Sequence, residues 1–212
     1  MSQAPATMAT PGEVAAEDQA RANFYALLAR LYAAAPDTAL LASIAAADAL
    51  PVVGESGAAR DLAASWGALR AASAATDAAA TAEEYQRLFI GVGKSEVSLH
   101  ASGYLAPAGK SPLSELRTTL ARLGLGRQAG VNVYEDHLAA VCETMRVLIG
   151  GAPGIEPCAL AQQREFFAVY VASWVAPCCS AIKNSPIANY YRRVAEFTEF
   201  FIAIERDSLA IE

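Results

Sequence analysis

The sequence contains few of the residues that most enzymes use for chemistry. Only two histidines, His100 and His137, and four cysteines occur among its 212 residues. Neither histidine belongs to a Glu-x-x-His pair, and no Cys-x-x-Cys pair is present, which argues against a di-iron helical bundle and a zinc site. A GxxxxGK[ST] phosphate loop and a GxSxG nucleophile elbow are also absent. The sequence therefore predicts no metal site, no cofactor and no catalytic residue.

Basic residues are too few for a typical nucleic-acid-binding protein. The chain has 16 lysines and arginines against 22 acidic residues, which gives a net charge of −6. Nucleic-acid binding depends mostly on clustered basic side chains, so this balance favours a protein that receives a basic partner. The N-terminus lacks the basic and apolar stretches of a secretory signal, and reduced thiols are the simplest state for the cysteines. We expect a cytoplasmic protein.

The longest uncharged stretch has a composition that fits either a membrane span or a buried helix. Residues 166–182 carry no charge over 17 positions, which is near the short limit for crossing a bilayer. Pro177 interrupts the stretch, and proline breaks a helix interior. We therefore predict a buried helix and no integral membrane segment.

Alanine is abundant and predicts helical structure. The chain has 49 alanines, and alanine has the highest helix propensity and contributes little to a strand. Phe24, Leu27, Leu28 and Leu31 follow helical spacing, and no alternating strand pattern of useful length occurs. We predict a single all-α domain of about eight to ten helices over residues 13–212, after a disordered lead at 1–12.

Several helix ends follow from local signals. Asp37 and either Thr76 or Asp77 can cap the second and fourth helices. Later helices are predicted from Pro112, which follows Ser111, over 135–149, from near Pro157 through Trp174, and from Ser185 to the C-terminal region.

A long glycine-rich segment interrupts the helical pattern near residues 90–111. It contains four glycines, two of them in the Gly91–Lys94 turn GVGK, together with a proline and several serines. A loop of this length inside a compact domain is more often functional than a simple connection. A run of Tyr85, Leu88 and Phe89, which by itself is typical of core packing, leads directly into it.

Asp136 and His137 form the one place where an acid and an imidazole are adjacent. From position alone, a capping aspartate beside a satisfied histidine is the simpler interpretation. The alternative is a polar binding site at the start of a helix that faces a groove.

Three segments, taken together, resemble the TorD/DmsD (NarJ-related) family of redox-enzyme maturation chaperones. They are EEYQRLFIGVGK at 83–94, SLHASGYL at 98–105 and VYEDHLAAVCETM at 133–145. The family has an all-helical fold, a Y/W-x-x-LF segment before a Gly/Pro loop, and an E-P-x-D-H segment that opens a later helix. Here Val133 and Tyr134 replace the family's glutamate and proline.

The resemblance implies a chaperone that binds the twin-arginine leader and the apoprotein of a molybdopterin oxidoreductase catalytic subunit, and delays export until the cofactor is inserted. It implies no enzymatic activity. Carboxylates beside an apolar surface would suit arginines followed by an apolar stretch. The implied leader-binding residues are Tyr85, Leu88, Phe89, His100, Tyr104, Glu135, Asp136 and His137.

Two other functions remain open at this stage. One is a small enzyme that uses Asp136 and His137 for proton transfer, which requires a perturbed histidine pKa in a closed pocket. The other is a general helical interaction module whose glycine-rich loop only connects helices. The identity of the client, the formation of a homodimer and contact with the client's folded core are also open.

Overall fold

The computed structural model describes residues 15–52, 57–105, 111–126 and 133–210, and the predicted lead at 1–12 lies outside these ranges. Over the described residues the chain forms nine α-helices and no β-strand, which confirms the predicted all-α bundle. The helices are α1 Ala16–Ala33, α2 Thr38–Ala46, α3 Gly57–Ala75, α4 Ala78–Tyr85, α5 Pro112–Arg122, α6 Leu138–Gly150, α7 Leu160–Tyr170, α8 Val175–Asn184 and α9 Tyr190–Ala210.

Local signals fix the starts of the short helices. The Asp37 carboxylate accepts the Leu40 amide at 2.7 Å at the start of α2, and Asp77 accepts the Ala80 amide at 2.8 Å at the start of α4. An aspartate at this position satisfies a backbone donor that has no partner within the helix. Both helices therefore start where the sequence predicts.

One continuous core holds the bundle together. Helix α1 packs along α6, and α3 and α8 pack against α9. Between α1, α3 and α9, the rings of Phe24 and Trp66 lie 5.3 and 5.2 Å from that of Phe197. Buried aromatic side chains of this size contribute much of the apolar area that stabilises a domain.

The helix predicted from near Pro157 through Trp174 is in fact two helices, α7 and α8. They meet at an angle of 47°. Pro177 lies in the first turn of α8, where its missing amide has no cost, but the helix cannot continue from upstream through it. The Trp174 indole donates to the Tyr170 carbonyl at 2.7 Å and closes the end of α7.

The uncharged stretch lies in these two helices, and its large side chains are mostly buried in the core. No single helix in the described ranges has the length and apolar composition to cross a membrane, whereas α7 and α8 taken as a bent pair meet those two criteria.

Helix α4 continues into a π-turn at Gln86–Ile90 before the glycine-rich segment begins. The chain then reverses at Gly91, which has φ of 65°. A Cβ atom at this position would collide with the Lys94 carbonyl, so the turn requires glycine. Residues 91–105 of the predicted loop are irregular apart from a short 3₁₀ turn at Ala101–Gly103, and 106–110 lie outside the described residues.

Helix α6 starts at Leu138, three residues later than predicted. The preceding residues form a turn that pairs with the glycine-rich segment, because the Ala101 amide donates to the Asp136 carbonyl at 2.9 Å. The Leu138 amide donates to the Leu99 carbonyl at 2.8 Å. These contacts lie between distant parts of the chain, so helical periodicity does not reveal them.

Candidate functional site

The glycine-rich segment joins the two regions that the sequence singled out. At one end the Val97 amide donates to the Leu88 carbonyl at 2.9 Å. At the other end His100 and His137 form an antiparallel bridge. The short extended stretch at 97–101 therefore connects the end of α4 to the start of α6, and it brings His100, Asp136 and His137 together.

Asp136 is a buried carboxylate with fixed partners. Its Oδ1 lies 3.0 Å from His100 Nδ1, and its Oδ2 accepts the Ser102 amide at 3.3 Å. Burial alone would raise the pKa of Asp136, but the hydrogen bonds from His100 and Ser102 outweigh it and hold this pKa below 3.8. Asp136 is thus ionised at neutral pH, and it does not cap α6 as the simpler interpretation of the sequence proposed.

His100 and its partner Asp136 both line a polar cleft. Because an ionised carboxylate only accepts hydrogen bonds, His100 Nδ1 is the protonated nitrogen. The His100 side chain is 35% exposed. The cleft holds about 520 Å³, and it is lined by Ser98, His100, Ser102, Gly103, Ser111, Leu113, Tyr134 and Asp136.

His137 is the capping residue of α6. Its Nδ1 accepts the Ala139 amide at 3.1 Å, and its side chain is buried. Burial, together with the nearby His100, lowers the pKa of His137 to about 4, against a smaller opposite effect of Asp136. The perturbed pKa that the enzyme alternative required is present, but burial and the nearby His100 account for it, and His137 does not line the polar cleft.

The buried His137 is expected to make stability depend on pH. The unfolded chain takes up a proton near pH 6.5, whereas the folded chain does so only near pH 4, so stability is lost as pH falls through this window. The free energy of unfolding should drop by about 2 kcal/mol between pH 7.5 and pH 5. Urea unfolding at several pH values measures this loss.

A His137→Ser variant provides the control for this prediction. Serine keeps a capping oxygen at the start of α6 but does not titrate. The variant should lose most of the pH dependence between pH 6.5 and 4, while the contribution of Asp136 appears only below its usual range. Equal pH dependence in both proteins would contradict the assignment to His137.

Tyr104 anchors the glycine-rich segment to α8. Its hydroxyl donates to the Ser98 carbonyl at 2.8 Å, and its ring stacks on Trp174 at 5.8 Å. The ring is partly buried, and burial raises the pKa of the hydroxyl above its ordinary value. Tyr104 therefore holds the segment that carries His100 in place.

Tyr85, Leu88 and Phe89 lie in the core beneath this segment, with exposed fractions of 7, 0 and 8%. The Tyr85 hydroxyl donates to the carbonyls of Tyr32 and Ala33, and the Phe89 ring meets Tyr191 at 4.9 Å. Direct contact of these three side chains with a leader remains a prediction. In the structure they are buried in the core, where they pack beneath the glycine-rich segment.

Glu135 comes directly before Asp136 in the chain but lines a different concavity. Its two oxygens accept hydrogen bonds from Arg117 on α5, at 3.1 Å from Nε and 3.0 Å from a terminal nitrogen. Glu135 is 14% exposed and Arg117 is 49% exposed. Glu135 lines an apolar groove, whereas Asp136 lines the polar cleft.

The apolar groove is the larger concavity, at about 610 Å³, between α1, the end of α5 and α6. Small side chains form its α1 wall, and the sequence signal for this wall was present in the helical spacing of Ala26, Ala29 and Ala33. Its charged lining residues are Arg30, Glu135, Glu143 and Arg146. The contact between α1 and α6 that forms this groove could not be predicted from the sequence.

The site combines polar and apolar surfaces. Over the described residues, no group of three or more histidine, cysteine, aspartate or glutamate side chains could hold a metal ion. The arrangement instead offers a hydrogen-bonding cleft and an apolar groove on the two sides of residues 135–136.

The all-α bundle agrees with the class of redox-enzyme maturation chaperones that the three sequence segments resemble. A family model described as nitrate reductase delta subunit matches residues 55–180, and the chain belongs to this family. The family consists of molybdoenzyme maturation chaperones and not of catalysts, and its members work with a molybdoenzyme catalytic subunit. No match was found among curated proteins.

Proposed function

We propose that this chaperone binds the twin-arginine leader of a molybdopterin oxidoreductase catalytic subunit in the cytoplasm, and keeps the subunit from export until its cofactor is inserted. The observation that carries the proposal is the apolar groove with carboxylates at its edge. A leader of this type has two arginines followed by an apolar stretch, so it needs both features in one place.

The apolar groove suits the apolar stretch of such a leader. Its walls are mainly alanine, leucine, valine and isoleucine side chains, and the small residues of α1 and α6 allow a helix to approach closely. An amphipathic or apolar helix that fills a groove gains affinity from the apolar area removed from water. Glu143, which is half exposed and paired with Arg146, adds a second carboxylate to the lining.

The polar residues next to the groove suit the arginines. A guanidinium forms its strongest contacts with carboxylates, and Glu135 presents a carboxylate toward the groove. His100, held by its contact with Asp136, lines the adjoining cleft. In this proposal the other five predicted leader-binding residues support the binding surface from the interior, because all of them are partly or fully buried. They are Tyr85, Leu88, Phe89, Tyr104 and His137.

Filling the apolar groove is expected to weaken leader binding about tenfold or more. Ala140 is half-buried on α6 and lines the groove, so an Ala140→Trp side chain would occupy space that the leader needs. The measurement is isothermal titration calorimetry with a synthetic peptide of the twin-arginine leader of a molybdopterin oxidoreductase catalytic subunit.

Ala74→Trp is the matched control, because Ala74 is exposed on α3 and does not line the groove. It should bind the leader like the unmodified chain. The proposed function fails if the unmodified chain does not bind the peptide, and the groove assignment fails if Ala140→Trp and Ala74→Trp bind it equally well.

A further inference from the structure

Arg117 on α5 forms an ion pair with Glu135, the carboxylate that the proposed function offers to a leader arginine. Two nearly parallel hydrogen bonds, of 3.1 and 3.0 Å, join the guanidinium to the carboxylate. This two-point geometry is the preferred way for any arginine to meet a carboxylate. The free protein therefore contains a guanidinium at the position where an incoming arginine would bind.

The two partners of this ion pair differ in exposure, and this difference decides which side chain can move. The Glu135 side chain is 14% exposed and is held in the turn before α6, whereas the Arg117 side chain is 49% exposed on α5. An exposed arginine on a helix surface can leave by rotating its long side chain, but the carboxylate stays in place. Arg117 is therefore the displaceable partner of this ion pair, and Glu135 is the fixed one.

Glu135 is also more suitable than its neighbour Asp136 as the acceptor for a new arginine. Asp136 is 4% exposed, and its two oxygens already accept from His100 and the Ser102 amide. A new partner at Asp136 would have to enter a buried polar network, and breaking such a network is costly. At Glu135 a new arginine would replace an exposed side chain of the same chemistry.

We propose that Arg117 is an internal competitor for a leader arginine, and that binding exchanges one guanidinium for another on Glu135. This inference rests on the proposed function and adds its selectivity. A lysine ammonium cannot reproduce the two-point contact that Arg117 gives up, so the exchange favours arginine over lysine in the leader. The cost of displacing Arg117 is common to every peptide that takes its place, so Arg117 sets the affinity threshold, while the two-point contact with Glu135 sets the preference for arginine.

Removing the competitor should tighten binding. Titration calorimetry with the leader peptide is expected to give a Kd about twofold to fivefold lower for Arg117→Ala, as the contact between an exposed arginine and a carboxylate is modest. The difference between the leader and a peptide with both arginines replaced by lysine should not become smaller, because the cost of displacing Arg117 is removed for both peptides. Binding by Arg117→Ala that is equal to or weaker than that of its control would overturn the proposal.

Arg122→Ala is the matched control. Arg122 is on the same helix, is 65% exposed and lies 3.9 Å from Glu165, so its loss changes the net charge by the same amount without uncovering Glu135. It should bind like the unmodified chain. The double variant Arg117→Ala with Glu135→Gln should bind no better than Glu135→Gln alone, and added tightening there would also contradict the exchange.

The outcomes separate this inference from the proposed function. If the unmodified chain binds neither peptide, both fail. If it binds the leader but Arg117→Ala and Arg122→Ala have the same affinity, only the internal competitor fails.

Discussion

Replacing Glu205 with alanine is expected to lower the free energy of unfolding by about 3–5 kcal/mol. Glu205 on α9 is 3% exposed, and its oxygens accept from Arg21 on α1 at 2.7 and 3.0 Å. The same guanidinium donates to Asp18 and Gln163. Without Glu205, a mostly buried arginine loses its main charge partner, and the desolvation cost is no longer offset.

Chemical denaturation measures this loss, with Asp207→Ala as the control. Asp207 is two residues later on α9 and 65% exposed, so its removal should change stability by less than about 0.5 kcal/mol. The paired replacement Arg21→Met with Glu205→Leu should recover most of the stability, because it leaves no buried charge. An effect of Glu205→Ala no larger than that of Asp207→Ala would refute the role of the pair.

Replacing Glu84 with alanine is expected to destabilise the fold by about 2–3 kcal/mol. The Glu84 carboxylate accepts the backbone amides of Asn189, Tyr190 and Tyr191, at 2.8, 3.0 and 2.8 Å. These amides lie at the start of α9, where the helix dipole also favours a negative charge. A residue of α4 therefore caps a helix that is more than a hundred positions away.

Glu83→Ala is the control for this second prediction. Glu83 is 75% exposed and forms only a long contact with Arg87 at 3.8 Å, so its loss should be nearly neutral. Glu84→Gln should fall between the two alanine variants, because the amide oxygen still accepts but carries no charge. Equal melting temperatures for the Glu83 and Glu84 variants would contradict the capping role.

The cap by Glu84 also explains a difference between the predicted and observed starts of the last helix. Local sequence predicts a start at Ser185, which is followed by proline, as in other helices of this chain. The helix instead starts at Tyr190, where the distant carboxylate satisfies the first amides. A helix start that depends on a side chain from another helix is not visible in the local sequence.

The Arg21–Glu205 pair connects the stability of the bundle to the proposed binding surface. Arg21 lies on α1, the helix that also forms one wall of the apolar groove. Its bond to Glu205 fixes α1 against α9, while α1 packs along α6 to form the groove. The groove therefore depends on ion pairs and packing that lie outside it.

The sequence by itself determined the helical class, the cap at Asp37, the long glycine-rich segment and the family resemblance, which the family match confirms. It narrowed the cap of α4 to Thr76 or Asp77, and the structure shows Asp77. These features depend on composition, short-range periodicity and side chains within one turn, so they can be read from neighbouring positions.

Only the tertiary structure decided which side chains meet. It placed Asp136 against His100, Glu135 against Arg117, and Tyr85, Leu88 and Phe89 in the core. The physical reason is that the burial of a charge and the choice of its partner depend on how distant helices pack, and many packings share the same local pattern. The division of the site into a polar cleft and an apolar groove follows from that packing.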